Sequence, residues 1–140
     1  FPIKDIQLLK IPEREKVETS TLKLDNKRVL LIEDDSIART LMKFILKDVQ
    51  GLHLYCAKDG IEAVKQAKEI NPDIIFTDLN VPKLTGVELV DSLSKLTPKP
   101  IIISLSGDQP EESIKSKLDD VLVKPIGARQ VLDKLQQYCG

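Results

Sequence analysis

From residue 27 onward, short apolar runs alternate with longer segments in which apolar residues recur every three or four positions. The runs Arg28–Ile32, His53–Ala57, Ile74–Thr77, Ile101–Ser104 and Val121–Val123 read as strands. Between the first two, Ile37, Leu41, Phe44, Ile45 and Val49 mark a helix with Ser36 as its N-cap and Leu41 in the core. Ala63, Val64, Ala67 and Ile70 mark a second helix, which must stop before Pro72 because a residue preceding proline is pushed out of helical conformation. Val87, Val90 and Leu93, with Leu89 and Leu96, give a third. Pro110–Leu118 is short and polar and predicts a marginal fourth helix with Pro110 in its first turn. Ala128, Val131, Leu132 and Leu135 give a fifth, running to Tyr138. Strand and helix in strict alternation predict an α/β domain built on a parallel sheet.

Residues 1–26 break this rhythm. They are polar, carry matched numbers of basic and acidic residues and show no sustained period, so they read as a linker or the flank of a preceding domain. A short strand or helix around Ile6–Ile11 is expected, and Phe1-Pro2-Ile3 could close a preceding domain. A chain that opens on Phe1 rather than Met reads as an excerpt or a processed form.

The 140 residues suffice for one domain with a real core, and 41% hydrophobic content supports a folded chain. The formal net charge is −1 and there is no long basic block, so electrostatics gives no reason to expect direct nucleic-acid binding. No apolar stretch approaches the roughly 18 residues that span a bilayer, and no signal-peptide pattern opens the chain, so no membrane contact and a cytoplasmic location are expected. Cys56 and Cys139 are spaced for neither a zinc knuckle nor a redox pair. His53, the single histidine, begins the second strand and reads as structural. The absence of a Gly-rich phosphate loop disfavours nucleotide binding.

The chemistry gathers at strand ends. Asp78 closes the run Asp73-Ile74-Ile75-Phe76-Thr77, Glu33-Asp34-Asp35 follows the first strand, and Lys124-Pro125 follows the last. Right-handed crossovers bring the ends of parallel strands to one edge of the sheet, so Glu33, Asp34 and Asp78 should converge there. Two carboxylates ~5 Å apart repel by ~3 kcal/mol at an effective dielectric of 20, so the cluster must take up a proton or a cation. A hard divalent ion, Mg²⁺ above all, suits carboxylates, water and a backbone carbonyl, and would also neutralise an incoming phosphoryl group. Lys124 can bind a phosphoryl oxygen from the other side, leaving Asp78 as the nucleophile. Asp35 reads instead as a solvated acid complementing the helix dipole.

These pieces, in this order and spacing, resemble a response-regulator receiver domain of two-component signalling, from about Lys27 to Gly140. The matching residues are Glu33-Asp34-Asp35, with Arg39 five positions after Asp34, then Asp78 through Gly86, Ile101 through Gly107, and Lys124-Pro125. The resemblance implies a flavodoxin-like fold, with a five-stranded parallel sheet of order 2-1-3-4-5 flanked by five helices. It implies that Asp78 accepts a phosphoryl group from a phosphohistidine on a histidine kinase or histidine phosphotransfer protein. Mg²⁺ would be held by Asp34, Asp78 and the backbone carbonyl of Asn80, with Glu33 helping through water. Ser106 would turn inward to the phosphoryl group beside a small Gly107, Lys124 would complete the site, and the bond before Pro125 would be cis. Ile37, Ala38 and Leu41, with Pro125 and Ile126, would form the patch that docks the histidine-bearing helices. The only activity implied is self-phosphorylation and self-dephosphorylation; a linker before the receiver and a chain end after its fifth helix resemble the C-terminal receiver of a hybrid histidine kinase, with a stand-alone regulator as the alternative.

One position departs from the family pattern: Val121 stands where an aromatic ring usually changes position on activation, which puts the usual signal output in question. Two other readings compete. A receiver-like interaction module without phosphorylation is one. A phosphohydrolase of the haloacid-dehalogenase type is the other, but it requires a second acid where Asn80 stands.

Overall fold

The computed structural model describes residues 22–140. The expected element around Ile6–Ile11 and the Phe1-Pro2-Ile3 segment lie outside the described residues. The chain forms β1 (Lys23–Ile32), α1 (Ser36–Leu46), β2 (Gln50–Ala57), α2 (Gly60–Ile70), β3 (Ile74–Asp78), α3 (Gly86–Ser94), β4 (Ile101–Ser106), α4 (Glu112–Lys115), β5 (Asp120–Val123) and α5 (Ala128–Cys139). All neighbouring strands are parallel and the sheet order is β2-β1-β3-β4-β5, as expected.

The apolar strand runs are explained by burial on both faces. Val29 and Leu31 of β1, with Ile74 and Phe76 of β3, pack against α1 and α5 through Met42, Ile45, Val131 and Leu135. Their sequence neighbours Leu30, Ile32 and Ile75 pack the opposite way, against Ala63 and Ala67 of α2 and Leu89 and Leu93 of α3. Every residue of β3 is buried, so its C-terminal Asp78 is delivered to the sheet edge from the most constrained strand of the domain.

Several details differ from the sequence expectation. β1 begins at Lys23, well ahead of Arg28, so residues 23–26 belong to the sheet rather than to the flank. Only Leu24 of that extension is buried; Lys23, Asp25 and Asn26 point to solvent and hide the strand signal. Gly51 faces this segment with φ 77°, where a Cβ would overlap the Leu24 carbonyl oxygen, so a glycine is required for the pairing.

The N-cap of α1 is Asp35 rather than Ser36, because its carboxylate accepts from the N–H groups of both Ile37 and Ala38. This helix carries two apolar faces. Met42, Ile45 and Leu46 enter the core, whereas Leu41 does not: it is 54% exposed, along with Ile37 at 78% and Phe44 at 64%. Period alone could not tell the two faces apart. In α3, Val87 is likewise exposed, while Leu89, Val90 and Leu93 carry the packing.

α4 spans only Glu112–Lys115, and Pro110 precedes its N-cap Glu111 instead of entering the first turn. Glu111 makes no side-chain capping bond and Ile114 is the one buried residue of the helix, so little besides that anchor holds it. The bond before Pro125 is cis as expected, and so is the one before Pro98. Among the described residues no helix is long and apolar enough to cross a membrane.

Candidate acidic site at the strand ends

The sheet order reverses direction at β1, whose neighbours β2 and β3 are reached by crossovers on opposite sides. Such a switch point opens a crevice at the C-terminal ends of the strands, and the functional side chains stand in it. One oxygen each from Glu33, Asp34 and Asp78 lie within 4.8 Å of one another. Glu33 and Asp78 are buried and Asp34 is exposed, so the cluster is a cup with an open rim.

Lys124 closes the cup from β5, with Nζ 3.3 Å from Asp78 Oδ2 and 3.8 Å from Glu33 Oε1. Its own N–H donates to the Ser106 carbonyl at 2.7 Å, which ties the ends of β4 and β5 together below the side chain. Three carboxylates facing one ammonium leave the site short of positive charge. Burial above all pushes the Glu33 carboxyl above its usual value; the Asp35 N–H and Lys124 pull it down, and the charges of Asp78 and Asp34 push it further up.

The loop after β3 is held by its own bonds. The Asn80 N–H donates to Asp78 Oδ1 at 2.9 Å, fixing the carboxylate's orientation. The Pro82 carbonyl accepts from the Gly60 N–H at 2.9 Å, and Lys83, at φ 77°, pairs with Asp59 at 3.4 Å. Thr85 and Glu88 then form a reciprocal capping box that starts α3.

Ser106 stands at the end of β4, and its hydroxyl donates to the Asp108 carbonyl rather than to the Asp78 carboxylate. A Cβ placed on Gly107 would meet nothing within 4 Å. Val121 lies in register with Ser104. Asp35 is engaged as the α1 cap and stands outside the three-acid cluster. His53 is exposed and shares a 2.6 Å contact with Asn26 Oδ1, and both cysteines are free thiols.

Beside the cup, a groove of about 380 Å³ runs between α1 and the segment after β5, and Ile37, Ala38, Leu41, Pro125 and Ile126 all line it. Glu33 and Lys124 line its inner end, so groove and acidic cup are continuous. The sequence reading did not anticipate what Arg39 does: its Nη1 donates to the carbonyls of both Glu33 and Asp34.

An oxygen-only set of three carboxylates fits a hard divalent cation such as Mg²⁺, and one nearby lysine leaves the charge for it to bind. Fold and site together define a doubly wound α/β domain with an acidic cup at its switch point. The profile of the response regulator receiver domain matches residues 29–136, and the chain belongs to that family. Domains of this family take phosphoryl groups from histidine kinases in two-component signalling and bind Mg²⁺ at an acidic pocket.

The chemotaxis protein CheY of Listeria monocytogenes is 33% identical over 114 residues, covering 79% of this chain and 96% of its own. The CheY protein of Thermotoga maritima is 32% identical over 115 residues, again covering 79% and 96%. Among solved structures, the Vibrio cholerae chemotaxis protein CheY4 superposes with a TM-score of 0.72 at 28% identity, over 80% of this chain and 98% of that one. The receiver domain of a Pseudomonas aeruginosa sensor histidine kinase, solved with a magnesium ion coordinated in its active-site cleft, gives 0.72 at 24% identity, over 81% and 97%. This last likeness bears on the fold.

Proposed function

We propose that this domain is a phosphoacceptor that takes a phosphoryl group from a partner's phosphohistidine onto Asp78. A carboxylate oxygen of Asp78 attacks phosphorus, the new O–P bond forms as the P–N bond breaks, and the electron pair returns to the imidazole nitrogen. Water then attacks phosphorus, the Asp78 O–P bond breaks, and inorganic phosphate leaves, which returns Asp78 to its carboxylate and completes self-dephosphorylation. The observation that carries this reading is three carboxylate oxygens within 4.8 Å of each other, with the Lys124 ammonium 3.3 Å from Asp78.

Asp34, Asp78 and the Asn80 backbone carbonyl would hold Mg²⁺, with Glu33 helping through water. Bound there, the ion would neutralise charge on the transferring phosphoryl oxygens. Lys124 takes a phosphoryl oxygen from the β5 side. Ser106 gives up its bond to the Asp108 carbonyl and donates to the phosphoryl group, which adds about −1.5 to −2 charge and three strong acceptors. The groove lined by Ile37, Ala38, Leu41, Pro125 and Ile126 receives the histidine-bearing helices of a histidine kinase or histidine phosphotransfer protein, since its inner end opens on the cup. The domain works in the cytoplasm, with the residues before β1 as a linker, and does not itself bind nucleic acid.

A phosphohydrolase mechanism lacks its acid, because Asn80 stands at that position. The test is intact-mass measurement after incubation with acetyl phosphate and Mg²⁺. Wild type should gain one phosphoryl group and Asp78→Asn none. An undiminished gain in the variant would refute the assignment of Asp78.

A further inference from the structure

Arg39 sits on the second turn of α1, close to the helix N-terminus, where the positive end of the helix dipole disfavours a cation. Its side chain nevertheless reaches back over that end. Nη1 donates to the Glu33 carbonyl at 3.0 Å and to the Asp34 carbonyl at 2.9 Å. Charge-assisted bonds of this kind are roughly twice as strong as neutral ones, so two on one nitrogen outweigh the unfavourable dipole.

The segment so held is the short link between Ile32 and the Asp35 cap. It is pinned from other directions too: the Glu33 N–H donates to the Ala57 carbonyl at 3.0 Å, and the Asp35 N–H to Glu33 Oε2 at 3.3 Å. The Asp34 carbonyl, in the same peptide as that Asp35 N–H, is held by Arg39, and Asp34 is the exposed member of the acid cluster. Its carboxylate is driven away from Glu33 and Asp78 by like charge. The bond from Arg39 to the Asp34 carbonyl opposes that drift by fixing the backbone from which the side chain projects.

We propose that Arg39 is a positioning residue for cation binding: by holding the carbonyls of Glu33 and Asp34 it aims their carboxylates at Asp78. The proposal rests on the reading of the acidic cup as a Mg²⁺ site. It differs in sign from a plain field effect. A guanidinium acting only through its charge repels Mg²⁺, so removing it would tighten binding. A guanidinium acting through the two carbonyls preorganises the ligands, so removing it weakens binding, in the range of ten- to a hundredfold seen for outer-shell partners of metal ligands.

The experiment is calorimetric titration of the whole chain with Mg²⁺ alone, for wild type, Arg39→Met and Arg39→Lys, with thermal unfolding recorded beside it. Met keeps the packing of the aliphatic stem and removes both donors. Lys keeps the charge but replaces the planar fork with a shorter, strongly hydrated ammonium. The expected result is a loss of Mg²⁺ affinity of about tenfold in the Met variant and about threefold or more in the Lys variant. Phosphorylation by acetyl phosphate should return to within about threefold of wild type once Mg²⁺ is saturating, because the arrangement of bound ligands is the same.

Unchanged or tighter Mg²⁺ binding in a folded Met variant overturns the proposal. Should that variant fail to fold, wild-type affinity in the Lys variant overturns it equally. A wild type that binds no Mg²⁺ removes the site reading itself, and the role of Arg39 with it.

Discussion

Strand β5 carries a charged cluster at each end, and the two are built on opposite terms. At its N-terminal end Asp120 is compensated from every side: Lys134 Nζ lies 2.6 Å from Oδ2, the Tyr138 hydroxyl donates to the same oxygen at 3.1 Å, and the Val121 N–H donates to Oδ1 at 2.8 Å. At its C-terminal end Lys124 reaches Asp78 at 3.3 Å and Glu33 at 3.8 Å, longer contacts, in a cluster that holds Asp34 as a third acid. Similar residue types thus serve two purposes. Where donors match acceptors the cluster fastens α5 to the sheet; where acids outnumber cations the cluster is left ready for a ligand that brings positive charge.

The sharpest way to break this contrast is at Asp34. Asp34→Ala should weaken Mg²⁺ binding by at least about tenfold with little change in stability, because the side chain is exposed and the role proposed for it is to hold the metal. Asp35→Ala should do the reverse, lowering stability by about 1 kcal/mol through the lost N-cap of α1 while Mg²⁺ affinity moves less than about threefold. Titration calorimetry and urea unfolding read the two. Equal metal losses would show that the wrong acid has been assigned.

A smaller effect is expected at the compensated end. Asp120→Asn should destabilise the domain by about 1–2 kcal/mol and leave phosphorylation of Asp78 unchanged. Burial alone would raise the Asp120 carboxyl, but the hydrogen bonds of Lys134, Val121 and Tyr138 hold it below its ordinary 3.8. The folded state therefore binds this proton less readily than the unfolded state, so the stabilisation is complete above pH 3.8 and is lost as the pH falls through the lower folded value. Lys134, raised above 10.5 chiefly by its bond to Asp120, loses its share at the other extreme, as the pH rises through its folded value. Unfolding curves of wild type and Asp120→Asn recorded from acid to alkaline pH should differ most near neutrality and converge at both ends.

The smallest effect is expected at Ser104, buried between Thr77 and Val121 in the register of β3, β4 and β5. Among the described residues its hydroxyl is the one buried side-chain oxygen without a hydrogen-bond partner. Ser104→Ala should stabilise the domain by about 1 kcal/mol in urea unfolding, since it removes an unpaired polar atom at little cost in packing. A loss of stability would mean that the hydroxyl has a partner.

Much of this was readable in the chain because the two signals are local. Short continuous apolar runs such as Ile74-Ile75-Phe76, rich in β-branched and aromatic residues, fit strands buried on both faces, and polar residues at their ends, Asp78 and Lys124, stand out against them. The β1 extension was hidden because Leu24 is its only buried residue. Periodicity did not show the exposure of Ile37, Leu41 and Phe44, because it reports that a helix has an apolar face, not that it has two; for Ile37 and Leu41 only the resemblance, through the docking patch, pointed to it. Asp35 and Ser36 are both good caps, and only the backbone decides between them. The bonds of Arg39 to two carbonyls, and the gathering of Lys134 and Tyr138 around Asp120, join side chains to groups that no spacing rule pairs.

The most direct test of the uncompensated acidic cup is equilibrium urea unfolding of wild type and Asp78→Asn, each with and without Mg²⁺, at neutral pH. Without the cation, Asp78→Asn should be as stable as wild type or more stable by up to about 1 kcal/mol, because one of three crowded negative charges is gone. With Mg²⁺ at a hundred times its dissociation constant, wild type should gain about 2.7 kcal/mol and the variant much less. A variant that is markedly less stable than wild type without Mg²⁺, yet gains as much from the cation, would show that Asp78 is a structural acid and that cation binding does not depend on it.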